Sequence, residues 1–134
     1  MNPKGIATWL VCSHAALAAA HGATHTQLAV DLTSFQSAFV VTVILAAPFA
    51  ALASFRGERP RLALAVLGGS LAAAFLFGLL FHFALPGADN VSGMSHQSWG
   101  SAFRVTAIGL EIIEGTGCAW CVWALTGSTS AARG

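Results

Sequence analysis

His14, His21 and His25 stand at steps of seven and four residues. At about 100° of turn per residue, those steps gather three imidazoles within roughly 40° on one helical face. His21 and His25 alone have the i, i+4 spacing with which a helix offers two imidazoles to one metal ion. A second set, Arg104, Glu111, Glu114, Cys118 and Cys121, lies in the apolar run 103–125. On a helix these five fall within roughly 120°, as one polar stripe. Imidazoles suit zinc, copper, iron or haem, carboxylates hold cations or protons, and a Cys-x-x-Cys is a redox pair or half a thiolate metal site.

The surroundings of these residues set the class. The chain has 134 residues, one domain by length, with 56% apolar and 8% charged residues and a mean hydropathy of +0.73. Soluble domains average about 45–50% and 25%, so the balance indicates an integral membrane protein. A net charge of +1 excludes a nucleic-acid partner, and three cysteines do not make a secreted disulfide framework. Neither a phosphate loop nor a Ser-His-Asp arrangement is visible, which leaves a hydrolase or ATP-driven pump unsupported. Tyrosine is absent, so Trp9, Trp99 and Trp123 are the candidate interfacial anchors.

Four apolar spans, about 5–26, 35–55, 62–85 and 102–125, each reach the roughly 20 residues that cross a bilayer. Short connections predict an all-α, up-down-up-down four-helix transmembrane bundle. Arg56, Arg59 and Arg61 crowd the connection between spans two and three and place it in the cytoplasm. Both termini then lie inside with Lys4 and Arg133, and Arg104 is the single basic residue outside. The reading is a multi-pass protein of the plasma (inner) membrane in contact with lipid. Span one also has the general form of a signal peptide, with Ala18-Ala19-Ala20 before His21. Its cleavage would take His14 away from the glutamates.

Within the spans, Asp31, Thr33 or Ser34 can cap span two, and Pro48 near its middle should kink it. Ser70, Ala74 and Gly78 step by four along span three, the small-residue spacing that lets membrane helices approach closely. The loop from Pro86 to Gly100 carries Asp89, Asn90 and His96, and Asn90-Val91-Ser92 matches a glycosylation triplet.

On this topology His21, His25 and His82 share the outer part of the membrane, and His14 lies near the midplane at the depth of Glu114. Ionisable groups in hydrocarbon cost about 2.5 kcal/mol or more each, so the stripe must face protein or water. Spans one and four should therefore be neighbours, with His14 facing Glu111 or Glu114. Arg104 and Glu111, seven residues apart, are a candidate ion pair. Glu114 then has three options: to be neutral, to pair with His14, or to bind a cation. A static salt-bridge network that specifies helix packing is the structural alternative.

Cys118 and Cys121 fall in the inner half of their span, near the level of Cys12. Four spans with a Cys-x-x-Cys resemble the membrane quinone-linked thiol oxidases of the DsbB and vitamin K epoxide reductase kind. The resemblance implies a quinone-linked thiol oxidoreductase that uses Cys118 and Cys121. Those families keep their reactive pair near the outer face, whereas here the pair lies inward and has no basic side chain beside it. Buried cysteine otherwise acts as a small hydrophobe.

The leading expectation is an outward-opening bundle whose His21, His25 and His82 hold a transition metal (copper or zinc) or haem b. Haem would use His21 or His25 opposite His82. His14, Arg104, Glu111 and Glu114 would supply intramembrane pairing or a proton relay. The competing expectation is a non-catalytic accessory subunit of a larger membrane complex, respiratory or photosynthetic in type, or a homo-oligomer. Nothing in the sequence demands catalysis.

Overall fold

The computed structural model describes residues 2–57, 59–94 and 98–130, the last three by their backbone alone; His96 and Arg133 lie outside these. Four helices are long and apolar enough to cross a membrane, and there is no strand among the described residues. They are α1 (Pro3–Gln27), α2 (Ser34–Arg56), α3 (Pro60–Ala84) and α4 (Gly100–Ser130). All four match the apolar spans to within a few residues, because hydropathy over about 20 residues is the strongest signal a membrane chain carries.

The helix ends follow local chemistry. Asn2 caps α1 through its side chain, which accepts from Lys4 N, and Pro3 sits where its missing N–H costs nothing. Thr33 opens α2 with a capping box: its hydroxyl accepts from Gln36 N while Gln36 Oε1 accepts from Thr33 N. Pro48 lies just past a π-helical stretch, Val40–Ala46, in which Ala47 N reaches back to Thr42 O. A proline cannot donate to the preceding turn, and the wider turns ahead of it absorb that loss. The end of α3 is also π-helical, Leu79–Ala84, and carries His82.

Packing divides the bundle into two ends. α4 packs along α3 and α1, and α3 also packs on α2. At one end Leu10 and Val11, Ala51, Leu67 and Leu71, and Cys121 form an apolar core. Lipid is as apolar as leucine, so close van der Waals fit rather than water exclusion holds this end together. Gly68 shows how close: a Cβ there would stand 2.9 Å from Cys121 Cβ. The small-residue row Ser70, Ala74 and Gly78 is buried throughout, as its spacing requires. The opposite end holds the histidines.

Candidate metal centre

Three helices supply the histidine cluster. The carboxyl-terminal half of α1 brings His21 and His25, the π-helical end of α3 brings His82, and the start of α4 brings Phe103 and Thr106. The three histidines are buried, and one ring nitrogen from each can be chosen so that all lie within 4.8 Å of one another. His21 Nε2 and His82 Nε2 are 3.2 Å apart. Metal–nitrogen arms of about 2.0–2.1 Å in a tetrahedral site set their donors about 3.3 Å apart. Phe103, fully buried, packs its ring against all three imidazoles.

The other ring nitrogen of each histidine meets an oxygen. His82 Nδ1 donates to the carbonyl of Asp89 at 3.0 Å. His25 Nδ1 faces the Val30 carbonyl at 3.4 Å, with Asp89 Oδ1 at 3.8 Å. His21 Nδ1 is 2.9 Å from Thr106 Oγ1, whose hydroxyl reaches back to the carbonyls of Ala102 and Phe103. With the Thr106 proton on those carbonyls, each Nδ1 is a donor and each Nε2 keeps a free lone pair. Metal-ligating histidines take this form, donating the second ring N–H to a carbonyl, carboxylate or other oxygen. Two lone pairs 3.2 Å apart then repel unless a cation lies between them. If Thr106 instead donates to His21, a proton fills the gap.

The loops around the cluster are tied down for this purpose. Ala29 takes a left-handed φ of 52° at the end of α1, and Val30 N bonds His25 O. A non-glycine residue in that region bears strain, and the turn it makes presents the Val30 carbonyl to His25. Asp89 is held from α2 by Gln36 Nε2 at 2.9 Å, and Val91 N bonds His82 O. Asp89 thus touches two candidate ligands: its carbonyl orients His82, and its carboxylate stands beside His25.

A cavity of about 510 Å³ borders all three histidines and continues to Glu111 and Glu114. Deeper still, His14 Nε2 meets Glu114 Oε1 at 2.9 Å, with both side chains buried. The expected ion pair of Arg104 with Glu111 does not form. Arg104 is exposed and joins no ion pair among the described residues, while Glu111 Oε2 is buried without a partner. The buried face of α4 runs through Phe103, Ala107, Glu114 and Cys121, and Arg104 sits about a quarter turn off it. Cys118 and Cys121 are free thiols among the apolar residues of the other end, and Cys12 is exposed on its own helix. Asn90 spends its side chain on a local turn, accepting from Ser92 N and Oγ.

Sequence reasoning did not single out Phe103, Thr106 or the two carbonyls. Phe103 is eleven residues from Glu114, about 20° around the helix, and that shared face was the available signal. Carbonyl partners leave no signal in residue type. Comparison with known protein families, curated proteins and solved structures finds no match for the chain.

Proposed function

We propose that this is a multi-pass protein of the plasma (inner) membrane that holds a transition-metal ion, zinc or copper, on His21, His25 and His82. The observation that carries the reading is the set of three buried imidazole nitrogens within 4.8 Å, drawn from two helices and each backed by an oxygen. Three imidazoles without sulfur suit zinc or copper, and three protein ligands leave one coordination position for water or substrate. A haem fits less well. Its macrocycle has to lie between two axial nitrogens, and here the imidazoles pack on one another and on Phe103. On the basic-residue rule, the Arg56–Arg61 connection is cytoplasmic and the metal lies in the outer half of the membrane. His14, Glu111 and Glu114, on the inner side of the centre, would carry protons to or from it.

The test is cobalt substitution. Metal-stripped protein in mild detergent, titrated with Co²⁺, should develop a visible d–d band that saturates at one equivalent and collapses on adding Zn²⁺. H82A and H21A should lose the band and C118S should keep it. Absence of the band in the wild-type protein, or its survival in H21A/H82A, rejects the centre. A Soret band in the protein as purified would replace the ion with haem.

A further inference from the structure

The cavity is larger than the metal centre needs. Six waters occupy about 180 Å³, so an ion with a full hydration shell would leave most of its 510 Å³ unused. The volume falls in the range of about 300–1,000 Å³ typical of small-molecule sites. Away from the histidines the wall is formed by Val40, Ile44, Ala74, Phe77 and Leu110, all apolar. Val40 and Ile44 belong to the π-helical stretch of α2, a distortion common at functional sites.

The charged groups on this wall have one sign. Asp31, Asp89, Glu111 and Glu114 line the cavity, and no lysine or arginine among the described residues does. Glu114 is committed to His14. Two carboxylate oxygens have no hydrogen-bond partner and are fully buried: Asp89 Oδ1, on a side chain about nine-tenths buried, and Glu111 Oε2. Glu111 can lie this close to α3 because residue 78 is glycine; a Cβ there would run into its carboxylate. Asp89 Oδ1 stands 3.8 Å from His25 Nδ1, so the oxygen left with no polar neighbour is Glu111 Oε2, and as a carboxylate it takes a positively charged donor. An anion is repelled, and a neutral alcohol leaves the charge uncompensated. A bare divalent ion wants several oxygen ligands and leaves the apolar wall unused.

We propose that the carboxylate side of this cavity binds the ammonium group of a small lipophilic amine, with Glu111 as its anchor and Val40, Ile44, Phe77 and Leu110 against its hydrocarbon body. The ammonium supplies three donors to a site that has only acceptors. The apolar part matches the wall, and Ala29, Val30 and Leu32 of the connection between α1 and α2 also border the cavity. The amine is anchored on Glu111 and the metal on the imidazoles, so the two readings stand or fall separately.

Calorimetric titration with phenethylamine, against 2-phenylethanol and against empty micelles, tests the proposal on metal-free protein. The amine should bind saturably at one equivalent, about tenfold or more tighter than the alcohol, since a charge-assisted contact is at stake. E111Q should weaken the amine by a similar factor and leave the alcohol unchanged, whereas E111D should recover part of the loss. Thermal melting of each variant verifies that it is folded. Equal affinity for amine and alcohol, an E111Q protein that binds as wild type, or uptake no greater than that of empty micelles overturns the site and leaves water as its occupant. C118S, whose side chain lies outside the cavity lining, should bind the amine as the wild type does. A wild-type protein that shows no cobalt band but binds the amine rejects the metal alone, and one that shows the band but does not bind the amine rejects the amine alone.

Discussion

His14 Nε2 and Glu114 Oε1 share a hydrogen bond of 2.9 Å that joins α1 to α4 in the interior of the bundle. One hundred residues separate the two, and both are almost wholly buried. Neither group can be left alone at that depth, so the pair specifies that these helices are neighbours.

The pair should behave as a unit. Removing one partner of a buried ion pair costs about 3–5 kcal/mol, because the other is left unpaired. H14A and E114A should each lower the melting temperature in detergent, and H14F/E114L should recover most of the loss. A double variant as unstable as the sum of the singles would show that the contact carries no coupling.

Asp89 should set the metal affinity without being a ligand. Its carbonyl orients His82 and its carboxylate stands 3.8 Å from His25 Nδ1. Outer-shell partners of this kind are worth about 10–100-fold in affinity. D89N should weaken Co²⁺ binding within that range while the stoichiometry stays at one, and D89E should restore part of it. Imidazole binds metal only when neutral, so protons compete with the ion, and the cobalt band should fade on acidification at a pH that falls as the Co²⁺ concentration is raised. A fading pH that does not move with Co²⁺ concentration would point to loss of the fold rather than to competition at the imidazoles.

Gly68 should be intolerant of a side chain. A Cβ there would press on Cys121 Cβ at 2.9 Å in a part of the bundle that has no slack. Overpacking of this kind typically costs about 1–3 kcal/mol. G68A should melt lower than wild type; C121G in the same chain should recover part of the loss, whereas C121A keeps the clashing Cβ and should not. If G68A melts as wild type does, the two helices are less tightly apposed than described.

Cys118 and Cys121 should stay reduced. Cys121 is fully buried between Gly68 and the apolar core, and no lysine or arginine among the described residues lies in that cluster to support a thiolate. Thiol titration of the membrane-embedded protein should give the same count with and without reductant. A Cys118–Cys121 disulfide that turns over with added quinone would move the chemistry to the opposite end of the bundle.

Topology is open to a direct measurement. Reporter fusions at residue 58 should read cytoplasmic and at residue 92 external, as the cluster of Arg56, Arg59 and Arg61 requires. The reverse pattern would turn the histidine centre to face the cytoplasm.

The sequence by itself determined the four helices, since hydropathy over about 20 residues depends on composition and not on what packs where. It also determined that His14 must find a carboxylate and that His21 and His25 share a face, because helical periodicity places side chains before any tertiary contact exists. Tertiary structure decided the rest. Arg104 and Glu111 are on one side of the helix by spacing, yet the buried face turned toward Phe103 and left Arg104 exposed. His82 lies on the π-helical end of α3, 3.2 Å from His21, and nothing in its sequence spacing announces that contact. The supports of the centre are backbone carbonyls at Val30 and Asp89, and every residue has a carbonyl. Which ones point at an imidazole depends on how the chain turns after α1 and α3, and those turns are held by contacts between residues far apart in sequence, such as Gln36 with Asp89.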